Sequence, residues 1–201
     1  MSIYVIRHGE TDNNANGVVQ MPDSPLSQRG EAQAELLAER IADAGITLVL
    51  ASDYSRARRT AEHVSQRCGV ELRELESLRE RHFGEIRGRP YSEVGELILK
   101  PDYDPPGGEN WAAFHERVKI AWDQVLQVVT GMPGHIAVIT HGLVCYSLAS
   151  RVFALPDPDE VPIGFGNTAL TIVDAEPPWS IELLACTAHL DADSGPRGTA
   201  V

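Results

Sequence analysis

Residues 3–14 read IYVIRHGETDNN, and this stretch decides how the fold is interpreted. Its first four residues are apolar or aromatic and are typical of a buried strand. Arg7, His8 and Gly9 follow without a break and are a poor continuation of such a strand. One interpretation is that the strand simply leaves the core here. The other is that Arg7 and His8 stand at the tip of a parallel strand, where open α/β proteins bind ligands.

A second predicted strand ends in the same way. Residues 137–142 read AVITHG, so His141 also follows an apolar run and precedes a glycine. In a parallel sheet both histidines emerge at the carboxyl edge, and we expect them to converge there if their strands are neighbours. The glycine after each histidine is expected to let a ligand approach the backbone closely. A single histidine at a strand end is usually structural, but the repetition favours a functional site.

Size and composition limit the class of protein. The 201 residues fit one domain with a sizeable core. The net charge of −12 disfavours nucleic acid and anionic membranes as partners, and a small anionic substrate would need a local cluster of cations. No apolar run is long enough to span a bilayer, and the first residues lack the pattern of a secretory signal. Three cysteines without C-x-x-C spacing suit reduced thiols, so we expect a cytoplasmic protein.

Strand-like and helical patterns alternate along the chain. Strands are predicted at residues 3–6, 47–51, 70–75, 136–140, 169–173 and 180–184, and helices at 27–44, 55–68, 110–129 and 143–153. The alternation predicts an α/β fold, a three-layer α/β/α sandwich with helices on both sides of a mainly parallel central sheet. We expect residues 1–190 to form a single domain, with a lid-like excursion at about 84–110 and a flexible tail at 191–201.

A third group of candidate residues follows the second predicted strand. Ser52 or Asp53 is expected to cap the next helix, and Arg56 lies in its first turn, where a positive charge is unfavourable. An anion site made by the helix end and the Arg56 guanidinium would explain this placement. Arg58 and Arg59 are interpreted as part of a solvated helix face.

Together these residues resemble the histidine phosphatase superfamily, the group that includes cofactor-dependent phosphoglycerate mutases. The motifs that carry the resemblance occur in order: RHGET at 7–11 with Asn14, PLS at 25–27 with Gly30 and Gln33-Ala34, ASD at 51–53 with Arg56-Ala57 and Thr60-Ala61, LRERHFG at 78–84, GGE at 107–109 and THG at 140–142. The resemblance implies a phosphoglycerate mutase-like fold and catalysis without a metal ion or a cofactor.

The resemblance further implies covalent catalysis on histidine. His8 matches the nucleophile, which becomes a phosphohistidine that water hydrolyses, and a neutral imidazole is a competent nucleophile near pH 7. Arg7, Arg56 and His141 match the phosphate pocket and would supply the local cations that an anionic substrate needs. Glu80 matches the proton donor, a role that requires its pKa to be raised by burial or by the substrate's charge.

Other residues have less specific expectations. Asn14, Gln20 and Gly142 are expected to contact the phosphate or the substrate. Glu109 is expected to orient the pocket or to cap the following helix. His115, in the middle of a predicted helix, is interpreted as structural.

Departures from the family pattern favour one of two enzymes. The interval between Glu80 and Gly107 is short for a mutase, and Leu143 stands where mutases usually have Asn. Met21 replaces a usual glycine. We therefore expect a metal-independent phosphomonoesterase acting on a small phosphorylated metabolite, with a phosphoglycerate mutase as the alternative. A metallohydrolase and a catalytically inactive binding module are the other two hypotheses, and a homodimer is possible because dimers are common in the family.

Overall fold

A six-stranded sheet runs through the described part of the chain, which is residues 1–155, 161–162 and 164–193 of a computed structural model. Its strands are β1 Ser2–Arg7, β2 Ile46–Ala51, β3 Glu71–Glu74, β4 His135–Thr140, β5 Leu170–Asp174 and β6 Ile181–Cys186, in the spatial order β3-β2-β4-β1-β5-β6. The first four strands are parallel to one another, and β5 is antiparallel to both of its neighbours. The predicted α/β fold with a mainly parallel sheet is confirmed.

Helices connect most of the strands. They are α1 Asp12–Ala15, α2 Gln28–Ile41, α3 Ser55–Cys68, α4 Tyr91–Ile98, α5 Trp111–Val129 and α6 Gly142–Arg151, with short 3-10 helices at Glu76–Leu78, Gly84–Ile86 and Ala188–Asp193. The four predicted helices all form, with ends shifted by a few residues. Neither α1 nor the 3-10 helices were predicted from the sequence, because segments of three to six residues carry too little periodicity to recognise.

The two faces of the sheet are both buried, which gives three layers. On one face Val5, Leu50 and Val138 pack with the side chains of α5 and α6. On the other face Ile6 and Ile139 pack with α2 and α3. Because successive strand residues point to opposite faces, unbroken apolar runs such as that of β1 supply both layers of core.

The ends of two helices follow their predicted signals, and the start of a third does not. The Ser27 hydroxyl accepts a hydrogen bond from the Gly30 N–H at 3.0 Å and caps α2. Gly69 adopts a left-handed φ of 68° after α3. The prediction that Ser52 or Asp53 caps α3 was wrong, because the residue at that position is Tyr54, which forms no side-chain cap. The side chains of Ser52 and Asp53 instead form hydrogen bonds with residues of other elements.

The excursion at 84–110 packs back onto the molecule through a buried arginine. The Arg81 guanidinium donates to the carbonyl oxygens of Glu109 at 2.9 Å, Ile98 at 3.0 Å and Tyr103 at 2.8 Å. Its plane also lies 4.2 Å from the ring centre of Trp111. Because three carbonyls of the excursion share one buried cation, the segment is held against the carboxyl edge of the sheet.

The carboxyl-terminal segment is only partly described. Residues 191–193 of the predicted tail belong to the 3-10 helix Ala188–Asp193, and the rest of the tail, 194–201, lies outside the described residues. Among the helices that are described, none combines the length and the apolar character needed to cross a bilayer.

Candidate active site

The two histidines that end strands meet at the carboxyl edge of the sheet. Strands β1 and β4 are adjacent and parallel, with Arg7 paired to Thr140, so the next residue on each strand is a histidine. The rings of His8 and His141 lie edge to face, with centroids 5.2 Å apart. Both residues are buried, at 1% and 0% exposure. The expected convergence of the two strand-His-Gly motifs is confirmed.

The hydrogen bonds of His8 fix its tautomer. Nδ1 lies 2.6 Å from the Gly9 carbonyl oxygen, which can only accept, so Nδ1 carries the proton. The lone pair of Nε2 therefore faces the site, where it accepts from Arg56 Nε at 3.1 Å. Burial, with the charges of Arg56 and Arg7, holds the pKa of His8 well below its ordinary value. The ring is a neutral base with an available lone pair at neutral pH.

Arg56 reaches the site from the first turn of α3. Its side chain is buried, and its second contact is a hydrogen bond to the Met21 carbonyl at 2.9 Å. Burial lowers the pKa of the Arg56 guanidinium to about 10, which still leaves it charged at pH 7. By contrast, Arg58 and Arg59 are exposed and pair with Glu62 on the helix surface, as expected for a solvated face.

Two buried nitrogens beside His8 have no hydrogen-bond partner within the described residues. They are Arg7 Nε and His141 Nδ1. Arg7 is anchored by a hydrogen bond from its Nη1 to the Phe165 carbonyl. His141 is anchored by a 2.8 Å hydrogen bond between its Nε2 and the Ser52 hydroxyl. Since buried polar groups are almost always paired, two unpaired nitrogens on the residues that end β1 and follow β4 suit a site that binds an anion.

Ser52 was identified in the sequence only as a possible helix cap. Its hydroxyl instead orients His141 and accepts the Tyr54 N–H at 3.3 Å. Asp53, the other expected cap, accepts from Arg79 Nε at 2.8 Å. The position of Ser52 at the carboxyl end of β2 was the signal that could have identified it, because that strand ends at the same edge as β1 and β4.

Glu80 lies at the entrance to the pocket, and both of its carboxylate oxygens accept backbone N–H groups. Oε1 accepts from Arg81 at 2.9 Å, and Oε2 accepts from Leu143, in the first turn of α6, at 3.2 Å. Burial raises the pKa of Glu80, although these hydrogen bonds and the charges of Arg56 and Arg7 oppose the shift. The carboxyl group can therefore hold a proton at a pH where an exposed glutamate has lost it.

A narrow cavity of about 20 Å³ opens directly onto these groups. Its walls contain the predicted residues Arg7, His8, Gln20, Arg56, Glu80 and Gly142, together with Tyr54, Arg81, Phe83, Arg87 and Tyr91. Tyr54 and Arg87 were missed as wall residues, because the sequence does not say which loops fold over the edge. A hydrogen bond of 3.0 Å from Arg87 Nη2 to the Tyr54 hydroxyl joins the excursion to the loop after β2.

The remaining predicted residues lie in different positions around this cavity. Gln20 faces it and is fixed by the Thr11 hydroxyl, which donates to Oε1 at 2.8 Å. Asn14 is not among the lining residues, and its Oδ1 accepts from Asn167 Nδ2 at 3.3 Å. Asn167 also donates to the His8 carbonyl oxygen at 3.2 Å, so it supports the backbone at the end of β1.

Glu109 was expected either to cap the following helix or to orient the pocket. Glu109 does not cap α5, since Asn110 does so by accepting the Ala113 N–H at 2.9 Å. Glu109 instead holds the segment that follows Glu80, because its carboxylate accepts hydrogen bonds from the His82 N–H at 2.8 Å and from Arg117 at 2.7 Å.

The expected close approach of a ligand at Gly9 is not what the structure requires of this glycine. A Cβ on Gly9 would lie 2.6 Å from the carbonyl oxygen of Gly30. Gly9 is therefore small because α2 packs against it. A Cβ on Gly142 would lie 3.5 Å from Arg7 Nε, an ordinary contact, and Gly142 does line the cavity.

The arrangement is suited to transferring a phosphoryl group. A neutral nitrogen nucleophile, two buried guanidiniums and a carboxyl group with a raised pKa converge at one sheet edge. Among the described residues, no three His, Cys, Asp or Glu side chains lie together in a way that could hold a metal ion.

Comparisons with known proteins agree with this chemistry. A family model described as histidine phosphatase superfamily (branch 1) matches residues 3–186. A protein named probable phosphoglycerate mutase GpmB, from Serratia proteamaculans (strain 568), is 33% identical, with 95% of each chain covered. Two solved structures share the fold at 23% identity. They are a phosphoglycerate mutase from Bacillus anthracis str. Sterne, with a TM-score of 0.83 and 94% of this chain and 95% of that chain covered, and a mycobacterial glucosyl-3-phosphoglycerate phosphatase, with a TM-score of 0.80 and 92% and 99% covered.

Proposed function

Because this chain belongs to the histidine phosphatase superfamily, we propose that it hydrolyses the phosphate monoester of a small metabolite through a phosphohistidine on His8. The observation that carries the proposal is a set of buried nitrogens on His8 and on three residues at the same sheet edge. His8 Nε2 faces the cavity, Arg56 Nε donates to it at 3.1 Å, and Arg7 Nε and His141 Nδ1 are buried without a partner among the described residues. A bound phosphoryl group would accept from Arg56 Nε and Arg7 Nε, and from His141 Nδ1 in the tautomer in which the Ser52 hydroxyl donates to His141 Nε2.

In the first half-reaction, His8 Nε2 attacks phosphorus while the ester P–O bond breaks. Arg56 Nε shifts its hydrogen bond from His8 to a phosphoryl oxygen, which frees the lone pair. Glu80 gives its proton to the departing alkoxide, so the leaving group departs as a neutral alcohol. The products are the alcohol, a phosphohistidine and the Glu80 carboxylate.

In the second half-reaction, water attacks the phosphohistidine. The Glu80 carboxylate takes a proton from that water, the N–P bond breaks and inorganic phosphate leaves. Glu80 is again protonated and His8 is again neutral, so the cycle closes without a net change in the enzyme. Each hydrogen bond from a guanidinium to a charged phosphoryl oxygen contributes about 1.5–3 kcal/mol.

A phosphoglycerate mutase is the second candidate, and one observation favours it. The relative that is 33% identical over 95% of both chains carries that name. In a mutase the phosphohistidine passes its phosphoryl group to a second hydroxyl rather than to water. The short interval between Glu80 and Gly107, which leaves few cations to grip a second acidic group, supports the phosphatase.

The partners follow from the same proposal. The substrate is a small phosphorylated metabolite, and nucleic acid is disfavoured by the charge of −12. We propose a cytoplasmic location, because the cysteines Cys68, Cys145 and Cys186 are free thiols. A homodimer, which light scattering would detect, is part of the proposal.

One experiment tests the activity. Purified protein is incubated in EDTA with p-nitrophenyl phosphate and, separately, with 3-phosphoglycerate, while phosphate release and 2-phosphoglycerate formation are followed. We expect phosphate release that falls by at least about 10³-fold in His8→Ala, because no other nucleophile replaces the imidazole. Arg58→Ala, an exposed arginine on α3, is the matched control and should keep full activity.

The outcomes separate the candidates. Isomerisation without phosphate release would overturn the phosphatase in favour of the mutase. Activity that EDTA abolishes would instead support the metallohydrolase. A chain that neither releases phosphate nor incorporates it at His8 would support the inactive binding module.

A further inference from the structure

A second and larger cavity has Leu143 in its wall, next in sequence to Gly142, which lines the narrow cavity. It measures about 800 Å³ and is formed by the first half of α5 and by α6, with Leu99 and Pro101 of the excursion at its edge. This volume lies within the range of sites that enclose small molecules. Nothing in the proposed chemistry uses the larger cavity, since the reacting groups face the narrow cavity.

The walls of the large cavity combine apolar surface with a few fixed polar groups. Leu143, Tyr146 and Val152 provide apolar and aromatic surface. His115 Nδ1 is held by the Ser147 hydroxyl at 2.8 Å. Its ring also stacks on Trp111 with centroids 5.3 Å apart. Burial, with the charge of Arg151, lowers the pKa of His115 to about 4, so the ring is neutral at pH 7.

The charged groups of the cavity favour an anion. Lys119 and Arg151 line it, and within the described part of the chain neither has a carboxylate within ion-pair distance. The acidic residue in the wall is Glu116. In a chain with a net charge of −12, two cations with no ion-pair partner among the described residues, beside an apolar surface, form a local site of opposite sign.

The large cavity is connected to Glu80 by two short paths. The Leu143 N–H donates to Glu80 Oε2 at 3.2 Å, while the Leu143 side chain forms part of the cavity wall. The Arg81 N–H donates to Oε1 at 2.9 Å, while the Arg81 guanidinium lies 4.2 Å from the ring centre of Trp111, another wall residue. Both backbone donors of the proposed acid therefore belong to residues that a bound molecule would contact directly or through one ring.

We propose that the cavity between α5 and α6 binds a small organic anion with an apolar ring, and that its occupancy changes the activity of the enzyme through Glu80. The apolar walls take the ring, and Lys119 and Arg151 take the anionic group. A ligand that moves Leu143 or Trp111 alters the two hydrogen bonds that hold the Glu80 carboxyl group. The binding step stands by itself, whereas the effect on activity rests on the proposed function.

Binding is tested with 1-anilinonaphthalene-8-sulfonate, an aromatic anion whose fluorescence rises in apolar sites. We expect one site per chain on the folded protein, with a Kd at least tenfold higher in Arg151→Glu or Lys119→Glu. Glu116→Gln, which removes the acidic group, should lower the Kd. Arg58→Glu changes the net charge by the same amount on another helix and should leave the Kd unchanged. A Kd that none of the cavity variants changes would overturn the proposal.

The effect on activity is tested by phosphate release with and without the same probe. We expect kcat to change at least twofold in the unaltered protein at saturating probe, with a smaller change in Arg151→Glu. Glu80→Gln should bind the probe with unchanged affinity and lose the probe's effect on kcat. Pure competition with substrate would assign the cavity to the leaving group and overturn the regulatory role. If the protein has no phosphatase activity, the binding arm still decides whether the site exists.

Discussion

At the scale of single residues, the site holds an acid and a base in the protonation states that phosphoryl transfer needs. Burial lowers the pKa of His8 and raises the pKa of Glu80, so both groups are driven toward their neutral forms. A neutral imidazole keeps its lone pair, and a neutral carboxyl group keeps its proton. The same desolvation thus favours the states that the proposed nucleophile and the proposed proton donor require.

The role of Glu80 can be separated from that of His8 by the choice of leaving group. In Glu80→Gln we expect kcat to fall by about 10²- to 10⁴-fold for an alkyl phosphate, because the alkoxide then leaves without a proton. For p-nitrophenyl phosphate the loss should be much smaller in the first half-reaction, since p-nitrophenolate is stable as an anion. Burst kinetics with both substrates measure this step. Equal losses for both substrates would contradict the role of Glu80 as the acid.

The pH profile gives a second check on the same residue. Glu80 must be protonated, so activity on an alkyl phosphate should fall as the pH rises through the raised pKa of Glu80. His8 must be neutral, and its lowered pKa keeps it so well below the ordinary pKa of histidine. We expect an acidic optimum whose alkaline limb disappears in Glu80→Gln. A limb that persists in this variant would assign it to another group.

At the scale of elements, the site depends on how closely α2 approaches the loop after β1. A Cβ on Gly30 would lie 2.0 Å from the Glu10 carbonyl oxygen, and the backbone cannot yield there without moving α2. The Ser27 N–H also donates to that same carbonyl oxygen at 2.9 Å. Because Gly9 and Gly30 have no side chains, α2 can pack directly against the loop that follows β1.

We expect Gly30→Ala to lower the free energy of unfolding by about 3 kcal/mol, the upper part of the usual range for overpacking. Gly95→Ala is the matched control, because a Cβ there meets Tyr91 Cβ at an ordinary 3.7 Å inside α4. That substitution should stabilise the protein by about 0.5–1 kcal/mol through helix propensity. Urea denaturation of both variants measures the difference, and equal effects would contradict the packing argument.

At the scale of the whole molecule, buried histidines link stability to pH. Four histidines, His8, His82, His115 and His141, have lowered pKa values in the folded chain, so below the ordinary histidine pKa the unfolded chain binds more protons at these residues. Glu80, with its raised pKa, returns at most one proton to the folded side. The unfolded state still binds more protons, and stability must fall as the pH falls.

We expect the free energy of unfolding to decrease as the pH falls below the ordinary pKa of histidine, because the unfolded chain takes up more protons than the folded chain. Glu80→Gln removes the opposing group, so the slope should become steeper. His141→Gln should make the slope smaller. Urea midpoints across this pH range provide the measurement, and a midpoint independent of pH would show that these histidines are not buried as neutral groups.

Much of the fold could be predicted from the sequence, because hydrophobic periodicity and the residues that begin or end helices and strands are local features. The run before Arg7 and the run before His141 both read as buried strands, and Ser27 and Gly69 marked helix ends correctly. The cap before α3 was predicted incorrectly, because Ser52 and Asp53 have stronger partners from distant elements. Propensity cannot weigh such partners, since they are brought together only when the sheet forms.

The sequence by itself determined the alternation of strands and helices and the two strand-His-Gly motifs. It also determined the ordered motifs of the superfamily, since all of these are patterns along one dimension. Only the tertiary structure decided that Arg7 and His141 each keep a buried nitrogen unpaired within the described residues, and that Glu80 takes its backbone hydrogen bonds from Arg81 and Leu143. The tertiary structure also decided that a large cavity forms with Leu143 in its wall. Burial and pairing depend on which distant segments meet, and the physical state of a titratable group follows from that burial rather than from its neighbours in sequence.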